Sequence, residues 1–180
     1  TINTVVGKEG GSDWGEHIPA ATKKRVMVIG GGPAGREAAR VAALRGHKVS
    51  LYDKNSELGG QTLIAAKAPG RDGFLDLSRY QTYQMKLLNV DVHLNTEVTA
   101  DTVKKENPDA VVVATGSVPL IPHISGVDGK NVVTVWQVLN GEVPVGDNVL
   151  IIGDDDHIQS LSTADFLAEQ GKKVEVLCWG

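Results

Sequence analysis

The chain has 180 residues, of which 41% are hydrophobic and 22% charged, and its formal net charge is −4 at pH 7. This length and composition suit one large or two small globular domains with an apolar core. A mildly acidic chain without a basic run is a poor candidate for nucleic-acid binding, and no apolar stretch approaches the roughly 20 residues that span a bilayer. The single cysteine, Cys178, excludes an internal disulfide framework, so we expect a reducing, cytoplasmic location without membrane partners.

The first part of the chain predicts an arm followed by one strand–turn–helix–strand unit. Residues 1–22 are polar and glycine-rich without periodicity, so we interpret them as a linker. Two short apolar runs rich in β-branched residues predict buried parallel strands, and an Ala-, Leu- and Arg-rich segment between them predicts a helix. These elements are strand Arg25–Ile29, helix Arg36–Arg45, which Gly46 ends, and strand His47–Tyr52. Their combined length of about 30 residues is that of one βαβ unit.

The remainder of the chain continues the alternation of strands and helices. After a predicted loop over residues 54–73, the pattern predicts helices at 75–89 and 101–106, the second capped by Asp101, and strands at 90–94 and 110–114. The apolar run at 110–114 predicts a buried strand. Residues 118–146 are rich in proline and glycine and indicate a crossover with a short helix at 135–139. A second βαβ then begins, with strand 148–152, a helix at about 157–170 and strand 173–177.

These elements predict an α/β protein with a Rossmann-like, parallel-sheet FAD/NAD(P)-binding fold and the start of a second βαβ module. We expect the nucleotide-binding domain to cover residues 23–117 and the partial second module residues 147–180. One βαβ cannot complete a second sheet, because its strand edges and apolar faces stay uncovered. We therefore expect the chain to be a fragment of a longer polypeptide, with a complete compact protein as the alternative.

The glycine motif after the first strand carries the functional prediction. Gly30, Gly32 and Gly35 form G-x-G-x-x-G between a strand and a helix. In such a turn the first glycine permits the bend, the second lets a pyrophosphate approach the backbone, and the third allows close helix–strand packing. The helix N-terminus then offers unpaired N–H groups to the phosphates, and Pro33 suits the first helical turn. Asp53 ends the second strand, where a carboxylate accepts hydrogen bonds from ribose hydroxyls and disfavours the 2′-phosphate of NADP.

Two later segments favour FAD over NAD at this site. ELGGQ, residues 57–61, places two glycines where the backbone can lie close to a cofactor. Thr115 and Gly116 end a strand at the carboxyl edge of the sheet, where open α/β sheets bind their ligands. An NAD-binding dehydrogenase domain stays open as an alternative. The five histidines have no metal-ligand spacing, and no G-x-S-x-G or Walker motif occurs, so no metal site, catalytic residue, hydrolase or kinase is predicted.

The order of these motifs resembles the C-terminal part of the 2,4-dienoyl-CoA reductase and trimethylamine dehydrogenase family, which includes NADH:flavin oxidoreductases related to old yellow enzyme. The resemblance runs over residues 24–178 through VMVIGGGPAGREAARVAALRGHKVSLYDKNSELGGQ, KAPGRDGF, TEVT and VVVATG. It implies a flavin-dependent oxidoreductase whose N-terminal TIM barrel, with FMN and a [4Fe–4S] cluster, lies outside this chain. It also implies FAD as the ligand, with structural ADP as the alternative, and an electron-transfer protein as a possible partner.

The resemblance also implies the residues that contact the cofactor. The glycine turn would hold the pyrophosphate, Asp53 the ribose, Gly60 and Gln61 the pyrophosphate or ribityl region, and Val98 the adenine through its backbone. The complete predicted set is Gly30, Gly32, Pro33, Ala34, Gly35, Asp53, Lys54, Gly60, Gln61, Val98, Ala114, Thr115 and Gly116.

The second βαβ departs from the family pattern. Its turn reads GDDDHIQ, so Gly153 is present but Asp155 and Ile158 replace the second and third glycines. Carboxylates at this position repel a pyrophosphate, and their bulk blocks its approach. The sequence therefore predicts that this second site does not bind NAD(P) in the usual way, as in the amine-dehydrogenase branch. An acidic, solvated turn without a role is the alternative.

Overall fold

The fold was analysed in a computed structural model, which describes residues 18–153 and 158–178. The strands are β1 (Arg25–Ile29), β2 (Lys48–Tyr52), β3 (Asp91–His93), β4 (Ala110–Val113), β5 (Asn148–Gly153) and β6 (Lys173–Cys178). The helices are α1 (Pro33–Leu44), α2 (Gln61–Ala65), α3 (Gly73–Leu87), α4 (Ala100–Glu106), α5 (Val135–Asn140) and α6 (Ile158–Ala168).

The described residues fall into two compact units. Unit 1 comprises residues 18–59 and 79–115, and unit 2 comprises residues 60–78, 116–153 and 158–178. Unit 1 contains a parallel four-stranded sheet in the order β3-β2-β1-β4, and unit 2 contains a parallel pair, β5-β6. Each sheet is built from strand–helix–strand connections, which is the arrangement that parallel strands require.

The core of unit 1 lies where the sheet packs against α1 and the last turns of α3. Val28 and Leu51 are register partners on β1 and β2, and both are fully buried. Ala39 of α1 is also fully buried, and its small side chain lets the helix approach the strands closely. Met85 of α3 belongs to the same apolar cluster and is 1% exposed. Burial of these apolar side chains supplies most of the stability of such a unit.

Unit 2 has a smaller apolar core around α6. Val138, Ile151 and Leu167 are buried together there. On the pair of strands, Leu150 and Leu177 are 54% and 49% exposed. The two strands therefore bury only one face among the residues that the structure describes.

The predicted strands and most helices are confirmed within one to three residues at their ends, but three details were wrong. Helix α2 lies inside the segment predicted as a loop, because a five-residue helix is too short to show periodicity. Helix α4 is capped by Thr99, whose side chain accepts from the N–H of Thr102, whereas Asp101 lies in the first turn. The run at 110–114 was predicted to be buried, but Val111 and Val113, which share one face of β4, are 39% and 71% exposed, because no described residue covers that face.

Some predictions concern residues outside the described part of the chain. The linker lies almost entirely in residues 1–17, and the acidic turn of the second βαβ comprises Asp154, Asp155 and Asp156. Among residues 18–153 and 158–178, no helix is long and apolar enough to cross a membrane.

Candidate functional site

The turn between β1 and α1 is so tight that two of its glycines have no room for a side chain. Gly30 has a φ of 107°, which L residues rarely adopt, and a Cβ there would overlap the carbonyl oxygen of Ala114. A Cβ on Gly35 would overlap the carbonyl oxygen of Gly30. The first turn of α1 therefore packs directly on the end of β1, as the glycine motif predicts.

Gly32 serves a different purpose in the same turn. Its backbone is extended, with φ −71° and ψ −178°, and a Cβ there would meet no heavy atom within 4 Å. Packing within the described chain therefore does not require glycine at this position. Gly32 is the N-cap of α1 and supplies no side-chain cap, and Pro33 follows in the first turn. This helix start thus offers backbone N–H groups to an approaching anion.

Asp53 is the buried carboxylate of the site. It follows β2 directly and is 7% exposed. Its Oδ2 accepts the N–H of Gly31 at 2.6 Å, and its Oδ1 accepts the N–H of Asn55 at 2.8 Å. The carboxylate is therefore held at the glycine turn by two backbone donors. Each oxygen has a further lone pair that can accept a hydrogen bond.

The sequence prediction did not include Gly31, which the structure makes part of the site. Gly31 is buried, and a Cβ there would overlap the side chain of Leu58 and lie 2.9 Å from Oδ2 of Asp53. The carbonyl oxygen of Gly31 also accepts the N–H of Gly59 at 3.0 Å. The run of three consecutive glycines was the available signal, since a glycine was present where the motif tolerates any residue.

Arg36 is a second residue that the prediction missed. It lies in the first turn of α1, and none of its surface is exposed. Its Nη1 donates to Thr82 Oγ1 at 3.3 Å, and its Nε lies 3.5 Å from the carbonyl oxygen of Gly32. Burial lowers the pKa of Arg36 because it penalises the charged form, and the Asp53 carboxylate opposes that shift. An arginine is nevertheless charged at all physiological pH values.

Three predicted residues come together in unit 2. Gly60 is the N-cap of α2 and has a φ of 55°. The Gln61 amide Nε2 donates to the carbonyl oxygen of Ser117 at 3.1 Å and to its hydroxyl at 3.0 Å. A Cβ on Gly116 would lie 3.4 Å from that Nε2. Gln61, the last residue of ELGGQ, thus lies against Gly116 and Ser117, which follow β4.

The structure does not bring every predicted residue into this arrangement. Ala114 approaches the turn, since its N–H donates to the carbonyl oxygen of Ile29 at 2.8 Å. Ala34 lies within the turn itself, and the backbone N of Thr115 would lie 3.1 Å from a Cβ on Gly30. Lys54 is exposed and Val98 is half-buried just before α4, and no described hydrogen bond connects these two residues to the glycine turn. Their assignment to a cofactor stays a prediction. Within residues 18–153 and 158–178, no group of His, Cys, Asp and Glu is arranged to hold a metal ion.

The parallel sheet, the tight turn after β1 and the carboxylate after β2 define a Rossmann-like nucleotide-binding protein. The family model described as pyridine nucleotide-disulphide oxidoreductase matches residues 24–177. The chain belongs to this family, which confirms the predicted fold class and the resemblance to flavin-dependent oxidoreductases.

Several relatives are similar over almost the whole chain. N,N-dimethylglycine/sarcosine dehydrogenase of Chromohalobacter salexigens is 41% identical over 86% of this chain and 23% of that protein. Bilirubin reductase of Mediterraneibacter gnavus is 41% identical over 98% of this chain and 27% of that protein. A solved complex of 2-naphthoyl-CoA reductase superimposes with a TM-score of 0.90 at 42% identity, covering 97% of this chain and 26% of that one. The chain therefore spans about a quarter of the length of the relatives it matches.

Proposed function

We propose that this chain is the FAD-binding module of a multidomain flavoprotein oxidoreductase. The observation that carries the proposal is the bond between the buried Asp53 carboxylate and the N–H of Gly31, at 2.6 Å. This bond fixes an acceptor for ribose hydroxyls beside a turn suited to a diphosphate. The adenosine diphosphate half of FAD requires both features. Membership of the pyridine nucleotide-disulphide oxidoreductase family supports the same conclusion.

The residues of unit 1 fit such a nucleotide. The space beside Gly32 is open to 4 Å around a Cβ position, and the N-terminus of α1 begins there without a side-chain cap. Backbone N–H groups at a helix N-terminus bind phosphate through hydrogen bonds and the helix dipole. In this proposal the predicted residues Gly30, Gly32, Pro33, Ala34 and Gly35 hold the diphosphate, and Asp53 holds the ribose.

The other predicted contacts belong to the same proposal. We assign Lys54 and Val98 to the adenosine side, and Gly60, Gln61, Ala114, Thr115 and Gly116 to the remainder of the cofactor. The flavin, when bound, supplies the electron-transfer chemistry. The residues of this chain bind it, orient it and set the polarity around it.

The rest of the oxidoreductase lies in other segments of the protein in this proposal. We propose an N-terminal TIM barrel with FMN, a [4Fe–4S] cluster, an electron-transfer protein as external acceptor or donor, and a cytoplasmic location. The chain spans only about a quarter of its relatives, which supports additional domains. The relatives include an N,N-dimethylglycine/sarcosine dehydrogenase and a bilirubin reductase, so the substrate is left open.

The nucleotide is identified by releasing it from the purified protein. We expect visible flavin absorption, and we expect FAD when the protein is denatured and its supernatant is separated by chromatography. Release of ADP from a colourless preparation would instead indicate a structural nucleotide without redox function. Protein that contains no nucleotide is titrated with FAD, ADP, NADH and NADPH while tryptophan fluorescence is followed. Preferential binding of NADH would overturn the FAD proposal in favour of a dehydrogenase domain.

A further inference from the structure

Arg36 places a full positive charge inside unit 1, next to the proposed nucleotide site. Its side chain has no exposed surface, which is rare for arginine. It lies on the fourth residue of α1, one turn after the N-cap Gly32. A hydrophobic residue would fill such a position at lower electrostatic cost, so the charge calls for a functional explanation.

The explanation we consider is that Arg36 offsets negative charge at the glycine turn. The Nε of Arg36 lies 3.5 Å from the carbonyl oxygen of Gly32, and Asp53 accepts the N–H of the preceding residue, Gly31, at 2.6 Å. The two opposite charges therefore meet neighbouring residues of one turn. The buried carboxylate thus lies at the same turn that would receive a diphosphate. Two negative groups at one buried place repel each other. A buried cation one helical turn away reduces that repulsion.

Helix α3 holds this arrangement in place. The Gln81 amide, 5% exposed, donates through Nε2 to the carbonyl oxygen of Pro33 at 3.2 Å. The hydroxyl of Thr82, the next residue, accepts from Arg36. The Gln81 contact holds the first turn of α1 against α3, and the Thr82 hydroxyl accepts one hydrogen bond from the guanidinium.

We propose that Arg36 is a positioning residue whose buried charge offsets Asp53 and makes the glycine turn of unit 1 selective for a diphosphate. This inference rests on the proposed function, because it concerns the same nucleotide. At an effective dielectric constant of about 20, the attraction of one buried charge for a nearby diphosphate is expected to change affinity by roughly tenfold to a hundredfold. A purely structural Arg36, which only joins α1 to α3, would affect all ligands and stability alike.

The test compares ligands with and without phosphates on protein freed of bound nucleotide. In Arg36→Met we expect ADP to bind at least about tenfold more weakly, whereas adenosine affinity changes less than about threefold. Arg36→Lys keeps the charge and should restore most of the preference for ADP. Calorimetry for ADP and NMR titration for adenosine give the two dissociation constants.

Two control variants separate charge from packing. Arg40→Met removes a cation from the same helix, but Arg40 pairs with Glu37 at 2.7 Å on a partly exposed surface, so the ratio of ADP to adenosine affinity should not change. Thr82→Val removes the hydroxyl that accepts from Arg36 and keeps the charge, so it should lower stability and leave the ratio within about threefold. If Arg36→Met does not fold, Arg36→Gln replaces it, because the amide keeps hydrogen-bonding capacity without the charge and should lose the preference for ADP in the same way.

Equal weakening of ADP and adenosine in Arg36→Met, or loss of the ADP preference in Thr82→Val, would overturn the inference. That result is distinct from failure of the proposed function, in which the unmodified protein itself binds neither FAD nor ADP.

Discussion

In unit 1 a backbone oxygen leaves no room for a side chain at Gly35 of α1, whereas in unit 2 a side-chain hydroxyl of α6 leaves none at Gly153 of β5. A Cβ on Gly35 would overlap the carbonyl of Gly30, and a Cβ on Gly153 would overlap the hydroxyl of Ser160. A hydroxyl can rotate away or be removed by substitution, but a backbone carbonyl in a tight turn cannot. The contact between helix and strand is therefore fixed at Gly35 in unit 1 and can adjust at Gly153 in unit 2.

The largest effect expected from this difference is on stability. Gly35→Ala should lower the free energy of unfolding by about 3 kcal/mol or more, because overpacking against backbone forces the helix away from β1. Gly153→Ala should lower it by about 1 kcal/mol, because only Ser160 has to adjust. Chemical denaturation followed by circular dichroism measures both.

A double variant sharpens the contrast. Adding Ser160→Ala to Gly153→Ala removes the overlapping hydroxyl and should recover most of the stability that was lost. In unit 1 no side-chain change can relieve Gly35→Ala in this way. Equal losses from the two glycine variants would show that both helix–strand contacts are equally fixed, which contradicts the comparison.

The sequence predicted the glycine turn of unit 1 because local signals agreed there. A strand, the spacing of Gly30, Gly32 and Gly35, and Asp53 about 20 residues later all indicate one structure. The bond from Gly31 to Asp53 was not predictable in this way, because the motif leaves that position unspecified. The burial of Arg36 was also missed, since it depends on Gln81 and Thr82, which arrive from α3 more than 40 residues later.

The errors in the fold have a similar origin. An apolar run such as residues 110–113 predicts a strand, but it does not show whether both faces of that strand are covered, and the face of β4 that carries Val113 is exposed. The cap of α4 depended on a choice between Thr99 and Asp101, which are both good N-cap residues. Local composition does not decide between them.

The next effect concerns Asp53, which has no described counterpart in unit 2. Asp53→Asn replaces one acceptor oxygen by an amide, so one of the two N–H groups at Gly31 and Asn55 loses its partner. We expect a loss of roughly 1–3 kcal/mol in stability, and a similar weakening of ADP binding. Denaturation and calorimetric titration measure the two quantities.

Asp109→Asn is the matched control for Asp53→Asn. Asp109, which directly precedes β4, also accepts a backbone N–H, from Arg25 at 2.7 Å. Arg25 is the first residue of β1, so this contact lies at the opposite end of the strand from the glycine turn. Replacement of Asp109 should affect stability only slightly and should leave ADP affinity unchanged. Unchanged ADP affinity in Asp53→Asn itself would show that the ribose is not placed at this carboxylate.

A smaller effect, confined to binding, is expected at Gly32. Because a Cβ there meets no heavy atom within 4 Å, Gly32→Ala should fold normally and gain roughly 0.4–1 kcal/mol through a less flexible unfolded chain. The methyl group would occupy the space that a diphosphate needs, so ADP should bind about tenfold more weakly. Thermal unfolding and titration with ADP separate the two outcomes.

The control for Gly32→Ala comes from unit 2. A Cβ on Gly146 also meets no heavy atom within 4 Å, so Gly146→Ala should have the same small effect on stability and none on nucleotide binding. A decrease of ADP affinity in Gly146→Ala as large as that in Gly32→Ala would remove the link between the turn of unit 1 and the diphosphate.

The smallest expected effect is on the pH dependence of stability. The core of unit 1 contains the phenol of Tyr52, whereas the apolar core cluster of unit 2, around Val138, Ile151 and Leu167, contains no tyrosine. Tyr52 is 7% exposed and stacks on His93 with ring centroids 4.4 Å apart. Burial raises the pKa of the Tyr52 hydroxyl, and the negative charges of Glu106 and Asp91 raise it further. The neutral phenol is therefore the form that the folded state prefers.

A group whose pKa is raised on folding stabilises the protein below its unfolded pKa, which is about 10 for tyrosine. This contribution of Tyr52 should therefore be complete at neutral pH and should be lost as the pH rises through its higher folded pKa. Tyr52→Phe should flatten the alkaline fall in the free energy of unfolding, measured by urea denaturation across that range. Tyr83→Phe, at a side chain that is 60% exposed, should leave the fall unchanged. An identical pH profile for Tyr52→Phe and the unmodified protein would show that the phenol does not ionise within the folded range.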